Sequence, residues 1–261
     1  MDKKLPKSRL AAAAKASAIH FAICVLVAAA AAATLFLFWF PGPFRTLSGG
    51  QFLFWVIVGV DVVCGPLLTA VLFNPTKSRR ELTLDLCLVV LIQLAALGYG
   101  VHSISLARPV VLAFEVDRFT AVSYAEVDID NLEQAPEPWR AMPWSGPRLL
   151  GIREARDHEE YLRSVDLSLQ GQEPSARPGW WVDYEDSRPK VKERMKKLAD
   201  LRSRQRAPAQ EKLDRALEKI GKAADELYYL PLVSEKEKDT WTVLLDAQAN
   251  IVGYAPVDGF L

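Results

Sequence analysis

The chain has 261 residues, 32 basic and 32 acidic side chains and an apolar content of 50%. These averages conceal two unlike parts: residues 1–106 hold nine Lys/Arg and four Asp/Glu, whereas residues 107–261 hold 23 and 28. That split excludes a uniformly water-soluble chain and argues for a membrane anchor (1–106) followed by a globular domain (107–261). The three cysteines, Cys24, Cys64 and Cys87, all lie in apolar runs, which excludes a disulfide framework in the soluble part.

The first apolar run, 18–40, has 23 residues and no formal charge. At 1.5 Å per residue it reaches about 34 Å, enough to cross a hydrocarbon core of about 30 Å. Lys3, Lys4, Lys7, Arg9 and Lys15 precede it as in a signal peptide. The run is longer than the roughly 7–15 residues of a signal core, so an uncleaved helix is expected. Pro41-Gly42-Pro43 ends it. A second run, 52–73, is interrupted by Asp61 and Gly65-Pro66, and Asn74-Pro75 closes it. The third, 82–106, contains Asp85 near its start and Gln93 near its middle.

Five basic residues in the N-terminal tail and three in the second connection (Lys77, Arg79, Arg80) outweigh Arg45 in the first. The positive-inside rule therefore places the tail and the second connection in the cytoplasm, and three crossings put residues 107–261 on the opposite side of the membrane. Trp39 and Trp55 fall at the outer boundary, as interfacial aromatics do.

In the soluble part, 110–116 and 119–124 are rich in strand formers, and 135–147, with four prolines, reads as an irregular loop. Residues 154–169 carry a helical pattern. Val191, Met195, Leu198 and Leu201 predict one amphipathic helix, and the stripe from Leu213 to Tyr228 predicts another, with Pro208 between them. Residues 241–245 and 251–255 form a β-hairpin pattern. The expected fold is three transmembrane α-helices followed by a soluble α+β domain with a helical hairpin and a C-terminal β-hairpin.

No nucleotide-binding, serine-hydrolase or metal motif is present, and His20, His102 and His158 show no ligand spacing. Asp128 and Asp130 read as surface carboxylates. The basic run 188–206 has nine Lys/Arg among 19 residues. In a domain facing away from the cytoplasm it reads as a solvated helix face or a contact with anionic lipid, not as a nucleic-acid site. No catalytic, cofactor or metal residue is expected.

The candidate interaction residues are intramembrane. Asp61 and Gln93 lie at similar depth on neighbouring antiparallel helices. A charge there costs about 2.5–3.5 kcal/mol on insertion scales, so Asp61 is expected to face protein or water. Either Asp61 bonds to Gln93 and holds the anchor together, or it receives a polar or cationic group of a partner's membrane helix. Pro66 would free carbonyl groups beside it. Asp85, near the cytoplasmic end, is expected to pair with Arg79 or Arg80.

The segments Phe38-Trp-Phe-Pro-Gly-Pro-Phe-Arg45, Gly59-Val-Asp-Val-Val-Cys-Gly-Pro-Leu-Leu-Thr69, Lys77-Ser-Arg-Arg-Glu-Leu-Thr-Leu-Asp-Leu86 and Phe114-Glu-Val-Asp-Arg-Phe119, in that order, resemble the TfpX/TfpZ family of type IV pilin accessory proteins. The resemblance spans roughly residues 36–119. It implies a non-catalytic inner-membrane protein that assists assembly of a type IV pilin, with the major pilin, the assembly machinery and membrane lipid as partners; no functional residue carries over. The competing readings are a periplasmic sensory component and a small membrane transporter or enzyme using Asp61, Asp85 and Gln93. No output domain follows that would favour the former.

Overall fold

The computed structural model describes residues 7–261. Helix α1 (Lys7–Thr34) continues into a π-helical turn at Leu35–Trp39, and the four-residue α2 (Phe44–Leu47) lies in the next connection. α3 spans Gly50–Leu72 and α4 spans Arg79–Ala107. Three stretches, Arg9–Trp39, Gly50–Leu72 and Arg79–Ala107, are long and apolar enough to cross a membrane. Each starts or ends a few residues from the expected boundary because helical backbone continues into the polar flanks, where a hydropathy pattern fades.

The chain divides into two compact units, 1–37 with 51–105 and 38–50 with 106–261. Within the first, small residues allow close approach of the helices: a Cβ on Gly100 would lie 2.7 Å from Ile57. Ser17 on α1 donates to the Pro66 carbonyl oxygen of α3 at 2.8 Å, and His20 Nδ1 meets Thr69 Oγ1 at 2.6 Å.

The second unit is an α+β domain on one eight-stranded sheet. Its strands are β1 (Pro109–Glu115), β2 (Arg118–Ser123), β3 (Arg148–Ile152), β4 (Trp181–Asp183), β5 (Lys196–Lys197), β6 (Tyr228–Val233), β7 (Trp241–Leu245) and β8 (Ile251–Ala255). The order is β4-β3-β1-β2-β6-β7-β8, with β5 on β6. β1 with β3 and β2 with β6 are parallel; the other pairs are antiparallel. Four further helices are α5 (His158–Leu169), α6 (Tyr184–Arg194), α7 (Leu198–Arg204) and α8 (Ala207–Ile220).

One apolar cluster joins Leu112, Phe119, Leu230 and Val243 of the sheet to Tyr184 and Val191 of α6 and to Phe44 and Leu47. The connection between the first two membrane helices thus contributes to the core of the soluble domain. Leu47 is fully buried, and Ser234 Oγ donates to its carbonyl oxygen at 2.7 Å. A second cluster packs α7 and α8 against Tyr229 and Leu244, and a third covers Val111 and Ala113 with the irregular segment around Ala135, Ala176 and Trp181.

Where a helical hairpin was expected, the chain forms two helices, α7 and α8, which share an apolar cluster and the Arg202–Asp214 ion pair. The stripe expected from Val191 to Leu201 is broken at Met195, where the backbone turns extended and Lys196–Lys197 pair with Tyr228 and Tyr229. α8 ends at Gly221, whose φ of +71° suits glycine at a helix terminus, so Leu227 and Tyr228 leave the helix and β6 begins. β6 is buried on both sides and shows no alternation, and Pro231 further disguises it as a non-strand.

Candidate intramembrane interaction site

Asp61 is the middle residue of the 23-residue α3, and Gln93 is the middle residue of the 29-residue α4. Cys24 is the middle residue of the 31-residue stretch Arg9–Trp39. The three meet. Gln93 Nε2 donates to the Asp61 main-chain oxygen at 3.1 Å and lies 3.6 Å from Cys24 Sγ. A side-chain amide in hydrocarbon needs such partners, because an unsatisfied polar group there costs several kcal/mol. Gly65 makes the space: a Cβ at that position would stand 2.0 Å from Gln93 Nε2.

Pro66 sits one residue further along α3 and remains inside the helix. It has no N–H, so the carbonyl one turn earlier loses its intrahelical donor, while its own carbonyl accepts from Ser17. Asp61, Gly65, Pro66 and Thr69 therefore place one polar face of α3 against α1 and α4.

The Asp61 side chain interacts with the Gln93 amide as well. The residue also lines an apolar groove of about 290 Å³ between α3 and α4, with Val56, Ile57 and Val60 on one wall and Tyr99, Gly100 and Ser103 on the other. Val56, Val60 and Tyr99 are exposed on the surface of the helix bundle. The groove is apolar but for Asp61, Tyr99 and Ser103.

Asp85 is not paired with Arg79 or Arg80. Its carboxylate takes Lys77, whose ammonium also approaches the Leu72 carbonyl oxygen at 3.4 Å. The reason is helical geometry: Arg79 and Arg80 are six and five residues before Asp85 and point to other faces, whereas Lys77 reaches back from the connection. Lys77 thereby closes the C-terminal end of α3.

In the soluble unit, Asp128 accepts from Asn131 Nδ2 at 2.8 Å within a turn, and the basic run 188–206 is divided among α6, β5 and α7. Arg188 pairs with Glu185, Lys190 with Glu154 and Arg202 with Asp214. A cavity of about 640 Å³ holds Glu115, Arg153 and Trp180. Arg153 is committed locally, with two bonds of 2.9 and 2.7 Å to Glu160 and its guanidinium 4.5 Å from the Trp180 ring. Arg177 stacks on the same ring at 4.6 Å.

The description "Fimbrial assembly protein FimB" is that of a family model that matches residues 8–49. The chain is 38% identical over 254 residues to "Fimbrial assembly protein, serogroup I" of Dichelobacter nodosus, covering 97% of this chain and 98% of that protein. The serogroup E1 protein of the same organism gives the same identity and coverage. The protein of serogroups C1 and C2 is 44% identical over 129 residues, 49% of this chain and 98% of its own length. No solved structure matches.

Proposed function

The chain belongs to the fimbrial assembly protein family, and from that premise we propose that it is an inner-membrane accessory protein that binds a type IV pilin and assists pilus assembly without chemistry of its own. The TfpX/TfpZ resemblance of residues 36–119 supports the finer placement among pilin accessory proteins. The N-terminus and the second connection lie in the cytoplasm and the α+β domain in the periplasm, as the distribution of basic residues favours.

The observation that carries the reading is the position of Asp61. An acidic residue at mid-helix that lines an open apolar groove supports docking of another membrane helix. The partner is the N-terminal helix of the pilin, held between α3 and α4, while the periplasmic domain contacts the pilin head. Two linked contacts of modest strength reinforce each other through effective concentration. Gln93 and Pro66 shape the site, and Asp85 with Lys77 fixes the cytoplasmic end of the anchor.

The test compares Asp61→Asn and Asp61→Leu. Gln93 donates to the main-chain oxygen at position 61, a bond that both variants keep, and the Asn amide can also replace the carboxylate's own contact with Gln93, so both should insert, Asp61→Leu with the smaller margin. Both should lose most of the pilin that co-purifies with the wild type, Asp61→Leu more completely. Normal pilin capture by Asp61→Leu would show that the carboxylate is not the docking group.

A further inference from the structure

α8 carries Lys212, Arg215 and Lys219 at spacings of three and four, so they share one face, and Lys222 follows just past its end. These four cations line a cleft of about 850 Å³ together with Trp241 and Tyr254. Among the described residues, no Asp or Glu lines it. Asp214 on the same helix is taken by Arg202, and Glu211 reaches Arg215 only at 3.4 Å between largely exposed side chains. Lys222 feels Asp246 only through space. This contrasts with the run 188–206, where several cations have a carboxylate in contact.

Gly42 and Pro43 also line the cleft. They follow Trp39, the last residue of the first membrane stretch, by three and four positions. A chain extends at most about 3.6 Å per residue, so Pro43 stays within about 14 Å of that residue. The headgroup zone on each side of a bilayer is about 5–7 Å thick, and charges act across a further 8–10 Å in physiological salt. Pro43 leads directly into Phe44, whose ring contacts Tyr254 at 5.9 Å and belongs to the domain core. The cleft is thus built on the very segment that joins two membrane helices.

We propose that the α8 cleft binds head groups of anionic phospholipids in the leaflet next to segment 38–50. Lysine ammonium groups and the Arg215 guanidinium take the phosphate charge. Trp241 and Tyr254 offer amphipathic rings of the kind that settle at the headgroup level. The inference holds for either orientation of the chain and is independent of pilin binding.

The test uses full-length protein in nanodiscs of phosphatidylcholine alone or of equal parts phosphatidylcholine and phosphatidylglycerol. Lysine acetylation is read by peptide mass spectrometry. Lys212, Lys219 and Lys222 should react about five-fold more slowly in the anionic discs, the factor that corresponds to the usual attraction of one basic side chain to an anionic surface. Exposed Lys192 on α6 should react equally in both. A K212Q/K219Q/K222Q variant should retain several-fold less phosphatidylglycerol through purification. Equal labelling in the two discs would overturn the proposal. So would equal protection by inorganic phosphate in neutral discs, which marks a free-anion site, or protection that appears only when pilin is added, which marks a protein face.

Discussion

Replacing Gly65 by alanine tests the mid-membrane junction by adding a single methyl group. The new Cβ would lie 2.0 Å from Gln93 Nε2, 2.4 Å from Cδ and 2.6 Å from Oε1, so the amide must move. Moving it breaks the 3.1 Å bond to the Asp61 main-chain oxygen and the contact with Cys24. Polar contacts between membrane helices average about 0.6 kcal/mol and reach about 1.7. The amide is the flexible end of its side chain, so steric strain adds little, and a loss of about 0.5–1.5 kcal/mol is expected. The assay is the midpoint of SDS-induced unfolding of the purified protein in mixed micelles, followed by helical circular dichroism. Gln93→Ala should cost a similar amount, and Gly65→Ala added to Gln93→Ala should cost almost nothing further, since the amide it displaces is gone. Full additivity of the two substitutions would show that Gly65→Ala does not act through the Gln93 amide. Pilin capture should survive Gly65→Ala, because Asp61 still faces the groove.

A periplasm-active reporter fused after Leu261 should be active and one inserted at Ser78 silent; the reverse pattern would overturn the orientation. Deletion of the gene should lower surface pili without lowering total pilin, and normal pili with unchanged pilin pools would contradict an assembly role. In the soluble domain, the bonds from Arg153 and from the Arg156 main-chain N–H hold the Glu160 carboxyl down at about 2. A folded-state value below the unfolded one contributes stability that is present above about pH 4.5 and lost as pH falls towards 2. A ¹³C-detected titration should place Glu160 near 2 in the wild type and return it towards 4.5 in Arg153→Gln. An unmoved midpoint would remove Arg153 as the cause.

The membrane helices were legible because an apolar run of some 20 residues has few alternatives to spanning. That Asp61 and Gln93 lie close together was likewise readable, since counting along antiparallel helices brings them level. Which atom of Asp61 the amide takes was not, because that depends on the space above Gly65. The partner of Asp85 was misread for a similar reason: proximity in sequence favoured Arg79 and Arg80, but the helix turns them away. β1, β2, β7 and β8 announced themselves as short runs of strand formers. β6 did not, since burial on both faces erases alternation and its Tyr-Tyr-Leu-Pro run continues the stripe of α8. Phe44 and Leu47 gave no sign of belonging to the soluble core, because a long-range packing choice leaves no local pattern. α8 was legible from its apolar stripe, but the cleft that its cations form with Gly42 and Pro43 arises only from the tertiary contact.

The proposed pilin-binding role requires a pilin helix to lie in the groove between α3 and α4. A photo-crosslinking amino acid at Val60 or Tyr99, both exposed walls of that groove, should capture pilin in native membranes through residues of its N-terminal apolar helix. The same probe at exposed Leu26 on α1 should not. Capture at Leu26 with none at Val60 and Tyr99 would contradict the groove as the docking site.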